Sequence, residues 1–307
     1  MYENVLVPFD FSDDSRYAVE CLRALPGIGR VVLLHVVYSR RLNPSATGSD
    51  TATDYARLRI EEFRASLKWE DVQVRTRVEQ VRGGSFADVV NRVAAEEGTS
   101  LVAMGRRGRG AIETLIVGSF AAEILRNGRQ DVLLVHLPAD RGTRAPKLSS
   151  PCSGLFSSVL VCTDFSAPEV AVASAATLPR EAPLTLFYTV ETGESLEEVR
   201  EISNAARARL EELARTISPG RGPVHASLRV GDAAEEIVFF AQEKGVSLIV
   251  VKSRGDRGFI HALLGSTSAA VVRMADRPVL VMKPSEPGNP FVEPPPAGTE
   301  EGRGTVR

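Results

Sequence analysis

Cysteine is scarce in this chain: Cys21, Cys152 and Cys162 are the three among 307 residues. They stand far apart, form no CxxC pair and have no zinc-ligand spacing, which excludes a cysteine-framed metal module. Each is expected to be a free thiol packed in a core, as in a reducing compartment. Net charge is scarce too. A balance of −2 gives no global basic field to draw nucleic acid or an anionic membrane surface. No apolar run approaches the ~20 residues that span a bilayer. The opening MYEN leads straight into a strand-like run and leaves no room for a signal peptide. These absences together make the cytoplasm the expected location. The four histidines are also dispersed. His35 and His136 lie in apolar runs, and His225 and His261 stand alone, so core or surface positions are expected rather than metal ligation. No nucleophile elbow and no Ser-His-Asp order can be assembled. No GxxxxGK[ST] occurs, which excludes a P-loop NTPase.

What is present is a repeat. Apolar residues make up 43% of the chain and charged residues 25%, ordinary values for soluble domains with full cores. VLVPFDFS at Val5 returns as VLVCTDFS at Val159. VVLLHVV at Val31 returns as LTLFYTV at Leu184, and DVLLVHL at Asp131 returns as PVLVMKP at Pro278. The order is kept throughout, so one unit of roughly 140 residues is duplicated. The expected division is a first domain over 1–137, a linker over 138–156, a second domain over 157–284 and a disordered tail over 285–307. Linker and tail are rich in Pro, Gly and polar residues without apolar period.

Within each unit, short β-branched runs alternate with helical patterns. In the first unit strands are expected near 4–9, 30–38, 72–79, 100–105 and 131–136. Helices are expected near 13–25, 52–69, 85–97 and 118–127. Nearly continuous apolar strands alternating with helices indicate a parallel sheet covered on both faces. The last strand of each unit, Val132–Val135 and Val279–Met282, is an open apolar edge that needs covering. The two units are therefore expected to pair within the chain, with a homodimer as a further step.

The chemistry concentrates in GRRGRGAIETLIVGS, Gly105–Ser119, at the end of the fourth apolar run. Glycines let backbone approach an anion closely, and a helix opening at Gly118-Ser119 offers free N–H groups and a positive dipole end. Arg106, Arg107 and Arg109 add charge. The alternative is a plain turn at Gly108 and Gly110 with Ser119 as a helix cap. The loop follows the fourth strand and no third glycine completes GxGxxG, which disfavours a dinucleotide fold. Asp10, at the end of the first strand, is placed to accept hydrogen bonds from an adenine amino group or a ribose hydroxyl. Its other reading is a cap for the helix beginning near Asp13.

Gly105, Gly108, Gly118 and Ser119 match Gly-x2-Gly-x9-Gly-[Ser/Thr]. With VPFDFS, LLHVV, VAMG and VLLV they resemble the universal stress protein family across both units. The resemblance implies, for each unit, an open five-stranded parallel sheet of order 3-2-1-4-5. It also implies ATP, with Mg2+ accompanying the phosphates. Carried over by position, Pro8, Asp10 and Val36 would line adenine and ribose, and Met104 and Gly105 would pack against the nucleoside. Gly108, Gly118, Ser119 and the N–H of Phe120 would hold the phosphates, with Arg107 nearby. The second unit keeps Asp164, Gly255, Gly265 and Ser266 but has Lys252 in place of Gly105, Cys162 in place of Pro8 and Thr189 in place of Val36. A side chain at Lys252 either blocks the site or reaches a phosphate; weak or absent binding is expected. The expected function is that of an ATP-binding stress or regulatory protein with a protein partner still to be named. The rivals are a slow ATPase or nucleotidyl transferase, against which the lack of an evident general base counts, and a nucleotide-free scaffold.

Overall fold

Runs such as VLV and LIVV carry side chains that stack on a pleated surface, and each is followed by an amphipathic stretch that covers the sheet. In the computed structural model, which describes residues 2–38, 51–81, 83–106, 117–136, 152, 154–191, 193, 195–253 and 264–283, the elements follow that rhythm. The first half contains β1 (Asn4–Pro8), α1 (Asp13–Cys21), β2 (Arg30–Tyr38), α2 (Thr51–Ser66), β3 (Gln73–Val81), α3 (Phe86–Glu97), β4 (Leu101–Gly105), α4 (Ser119–Asn127) and β5 (Asp131–Val135). The second half repeats them as β6 (Val159–Cys162), α5 (Pro168–Thr177), β7 (Leu184–Val190), α6 (Leu196–Ile217), β8 (Val224–Val230), α7 (Ala233–Glu243), β9 (Leu248–Lys252), α8 (Ser266–Met274) and β10 (Val279–Met282).

Each half has the expected parallel order, 3-2-1-4-5. The two do not remain separate sheets. They form one ten-stranded sheet, β3-β2-β1-β4-β5-β10-β9-β6-β7-β8. The join is the antiparallel pair β5–β10, with Val132 opposite Val281 and Leu134 opposite Val279. The reason is the one that makes edges hazardous: an apolar edge strand carries a row of unpaired backbone groups, and the nearest complement is the same edge of the other copy. The outer edge β3, QVRTRVEQV, is protected by charge. Arg77 bonds Glu79, Glu96 and Glu97, and Arg92 bonds Glu79 and Glu96.

Two apolar cores fill the faces, and each contains residues of both halves. One packs Val5, Val7, Tyr17, Val19 and Ile60 with Leu184, Leu186, Leu210 and Ile217, under α1, α2, α5 and α6. The other packs Leu6, Val32, Val90, Met104 and Ile124 with Ile237, Val251 and Val271, under α3, α4, α7 and α8. The expected linker and tail lie outside the described residues, apart from Cys152 and Gly154–Phe156.

The cysteine reading needs correcting. Cys21 and Cys152 form a disulfide, and Cys162 is the free thiol. Their separation of 131 residues hides a spatial meeting. Cys21 closes α1 on its core side, and Cys152, Leu155 and Phe156 pack against the same core. The scarcity of cysteine therefore does not by itself indicate a reducing compartment. Among the described residues no helix is long and apolar enough to cross a membrane.

Candidate functional site

In an open α/β sheet the crevice lies beyond the carboxyl ends of the strands where the order reverses. Here that is between β1, ending at Pro8, and β4, ending at Gly105, which pair in parallel through Val5–Leu101 and Leu6–Val102. Past Pro8 the chain makes a tight turn. Asp10 Oδ1 accepts from the Ser12 N–H at 3.0 Å and the Ser12 hydroxyl at 2.5 Å. Ser12 in turn accepts the Ser15 N–H at 3.2 Å, and so caps α1. The helix cap is thus Ser12, and Asp10 holds the turn that presents it.

Between them Phe11 has φ of 64°. A left-handed conformation costs an L side chain roughly 1–2 kcal/mol, and such strain persists only where its surroundings fix it. Phe11 is fixed by Phe9, by the His35 ring at 4.7 Å and by the Arg59 guanidinium 4.1 Å from its centroid. The second half repeats the device in detail. Asp164 accepts from Ser166 at 3.0 and 2.5 Å, Phe165 has φ of 59°, and Tyr188 and Arg209 pack on its ring. The two histidines of the strand runs each have a local neighbour: His35 Nδ1 lies 2.6 Å from the Phe9 carbonyl, and His136 lies beside Arg106.

Of the residues expected around a nucleoside, Val36 and Met104 share a sheet face, the one covered by α3 and α4. Pro8 is buried, as is Met104. Gly105 has a second reason to be glycine. A Cβ there would lie 2.6 Å from the Asp14 Cβ and 3.0 Å from its backbone, so the first turn of α1 rests directly on the end of β4.

The phosphate side is less complete. Arg107 and Gly108, with Arg109 and Gly110, lie outside the described residues. What brackets them is described. Gly118 donates its N–H to the Arg106 carbonyl at 2.9 Å and is the cap residue of α4, with no side-chain cap bond. The first bond of the helix is from Ala122 to Gly118, so the amides of Ser119, Phe120 and Ala121 have no partner within the helix. Serine or aspartate caps α1, α3, α6 and α7. The N-terminus of α3 further receives the Glu123 carboxylate, at 3.0 Å from the Ala87 N–H. α4 thus presents positive potential that its own side chains leave unanswered. Phe120 is 44% exposed, against Phe86 and Tyr38.

Arg106 departs from its expected role as a loop cation. Its guanidinium turns away and donates to the Ala275 carbonyl at 2.6 Å. Nothing in its spacing signalled this, because the acceptor lies 169 residues away.

In the second half the corresponding place is filled. Lys252 Nζ bonds the Ser166 hydroxyl and lies 3.6 Å from Asp164 Oδ1. Burial pushes the Asp164 carboxyl up, but the Ser166 bonds and Lys252 outweigh it and hold the group below its ordinary range. A small cavity lined by Cys162, Asp164, Ala171, Val250 and Lys252 lies beneath. Burial raises the Cys162 thiol far above its usual value, so it is held as an inert thiol.

Comparison with known proteins agrees with this duplicated geometry. The model of the universal stress protein family matches residues 1–136 and again 156–283. A universal stress protein of Bacillus subtilis, YxiE, is 49% identical over 53 residues, a match spanning 17% of this chain and 36% of that protein. Universal stress protein MJ0577 of Methanocaldococcus jannaschii is 25% identical over 157 residues, 44% of this chain and 95% of the relative. The crystal structure of a universal stress protein from Archaeoglobus fulgidus covers 91% of this chain and 96% of its own, with a TM-score of 0.57 and 23% identity, a likeness of fold. The chain belongs to the universal stress protein family, in a tandem form.

Proposed function

We propose that this tandem universal stress protein binds ATP in its first half and works as a nucleotide-dependent regulatory or protective protein. The observation that carries the reading is the amino end of α4. Gly118 caps it without a side chain, and three backbone amides that have no partner within the helix would face an anion beside the β1–β4 switch point. Gly118, Ser119 and Phe120 would hold the phosphates, with Gly108 and Arg107 contributing from the loop. Pro8, Asp10, Val36, Met104 and Gly105 would form the nucleoside side. Mg2+ would accompany the phosphates and screen their charge. We read the chain as two domains, 1–137 and 157–284, and place it in the cytoplasm, where the Cys21–Cys152 bond would depend on oxidation. The pairing of β5 with β10 uses the edge through which a second copy would most simply add, so a homodimer on this reading needs another surface.

The test is mass analysis of freshly purified, denatured protein for co-purifying nucleotide, followed by calorimetric titration with ATP. Retained ATP at about one per chain without product supports a binder. Steady release of ADP would favour the slow-enzyme reading. No nucleotide and no heat would leave a scaffold.

A further inference from the structure

The second half carries Lys252 where the first has Gly105, and its helix α8 is bonded to the root of the first half's loop. We propose that Arg106 is a positioning residue that couples the nucleotide cradle of the first half to helix α8 of the second. This rests on the ATP reading and assigns the regulation of that same site.

The backbone of Arg106 ties both roots of the glycine loop. Its N–H donates to the Val135 carbonyl at 2.9 Å, and its carbonyl accepts the N–H of Gly118, the α4 cap, at 2.9 Å. Its side chain, in a residue only 8% exposed, crosses the seam. Nη1 donates to the carbonyls of Ala275 at 2.6 Å, Arg273 at 3.4 Å and Val272 at 3.5 Å. Nη2 lies 3.4 Å from His136 Nε2. The last carbonyls of a helix lack partners within it and carry the negative end of its dipole, so a buried guanidinium there is a strong cap. One residue therefore fixes the amino end of the phosphate helix and the carboxyl end of its counterpart.

The far end of α4 is held in the opposite direction. Lys283 Nζ, from the second half, donates to the Leu125 carbonyl in the last turn of α4 at 2.7 Å. Each half thus caps the other's helix with a cation, but only one cap grows from a loop root. The counterpart of Arg106 is Ser253. It makes the same backbone bonds, to Met282 at 2.8 Å and from Gly265 at 2.7 Å, with a side chain too short to cross. Among the described residues, a side-chain link across the seam from a loop root is made by Arg106 and not by Ser253. Because coupling between sites is reciprocal, ATP bound at the amino end of α4 would stiffen α8, and loosening α8 would weaken ATP.

The experiment uses the full chain with Arg106→Ser, which copies Ser253, and Arg106→Lys. ATP affinity is measured by calorimetry, and amide hydrogen exchange is followed at Gly118–Ala122 and Val272–Ala275, with and without ATP. In the unmodified chain ATP is expected to slow exchange in both segments. In Arg106→Ser, affinity falls about 10-fold, within the usual range of coupling, and Val272–Ala275 no longer responds to ATP. Arg106→Lys restores part of both effects. If Arg106→Ser binds ATP normally, or its α8 amides still respond, the coupling is wrong while the ATP reading stands. If the unmodified chain gives no heat with ATP, the nucleotide reading fails. The coupling is then judged without ligand: unchanged exchange at Gly118–Ala122 in Arg106→Ser overturns it, and faster exchange there upholds it. Should the serine variant not fold, the lysine variant carries the same comparisons.

Discussion

The two halves share a turn down to tenths of an ångström, and they differ in what stands beside it. Asp10-Phe11-Ser12 and Asp164-Phe165-Ser166 make the same bonds with the same left-handed phenylalanine. Beside the first lies Gly105, on which α1 rests; beside the second lies Lys252, which bonds the turn itself. The turn is therefore a structural device common to both copies and does not by itself report nucleotide binding. The difference nearest the turn is Gly105 against Lys252, and Cys162 for Pro8, Thr189 for Val36 and Ser253 for Arg106 add to it.

The largest expected effect comes from making the halves alike. Gly105→Lys copies the second loop into the first. Its Cβ alone would meet Asp14 at 2.6 Å, so α1 must move. A loss at the upper end of overpacking costs, about 3 kcal/mol, is expected in denaturant titration, together with loss of ATP binding. Gly105→Ala separates the two causes. Reduced stability with unchanged ATP affinity would make Gly105 a packing glycine only.

The seam gives the next effect. Burial pushes Asp131 up to about 6, against its Lys283 N–H and Tyr2 hydroxyl bonds, and its ordinary value is 3.8. The folded pKa is raised, so the contribution of this group is fully present below the unfolded value and is lost as pH rises through about 6. At 1.36 kcal/mol per pH unit the span amounts to about 3 kcal/mol. The prediction is that Asp131→Asn gains stability over the unmodified chain at pH 7.5 and that the gain shrinks toward pH 4. A constant difference across that range would contradict the assignment. The second half has Pro278 at the matching place, so no such dependence is expected from it.

Gly118→Val tests the cradle with the fold kept. A branched side chain at the α4 cap would displace N–H donors. Losing one charge-assisted bond, worth about 1.5–3 kcal/mol, means roughly 10- to 100-fold weaker ATP binding by calorimetry. Unchanged affinity in a folded variant would remove the phosphate assignment.

How much of this was legible in the sequence depends on distance along the chain. The strands were legible because β-branched runs alternate with helical patterns, and the repeat doubled every observation. β4 at Leu101–Gly105 and α4 at Ser119–Asn127 fall within one residue of expectation. The expected pairing of Val132–Val135 with Val279–Met282 followed from their being open apolar edges, but the merging of two sheets into one was not foreseen. The Cys21–Cys152 bond, the Arg106 link and the Asp131 cluster escaped notice because each joins residues more than 120 positions apart, where no periodicity reaches. Asp10 could be read from its place at a strand end either as an acceptor for a ligand or as a helix cap; the structure gives it the turn, where it accepts from Ser12, and makes Ser12 the cap of α1.

The smallest expected effect is the most informative about the second half. Lys252→Gly removes the ammonium that bonds Ser166 and lies 3.6 Å from Asp164. It leaves Gly265 capping α8, again with no side-chain cap bond, and its backbone tie to Ser253. If Lys252 closes the site, the isolated gain is a second, weaker ATP per chain by equilibrium dialysis. The gain should be partial, because Cys162 still replaces Pro8 and Thr189 replaces Val36 on the nucleoside side. Removing Lys252 also releases the carboxyl of Asp164 from one of the influences that hold it low, so its titration should move toward higher pH. That movement, followed by carboxyl chemical shifts, reports the local change whether or not ATP binds. Two equal sites in the unmodified chain would mean that Lys252 is a phosphate ligand and that the second half is a second cradle of altered chemistry.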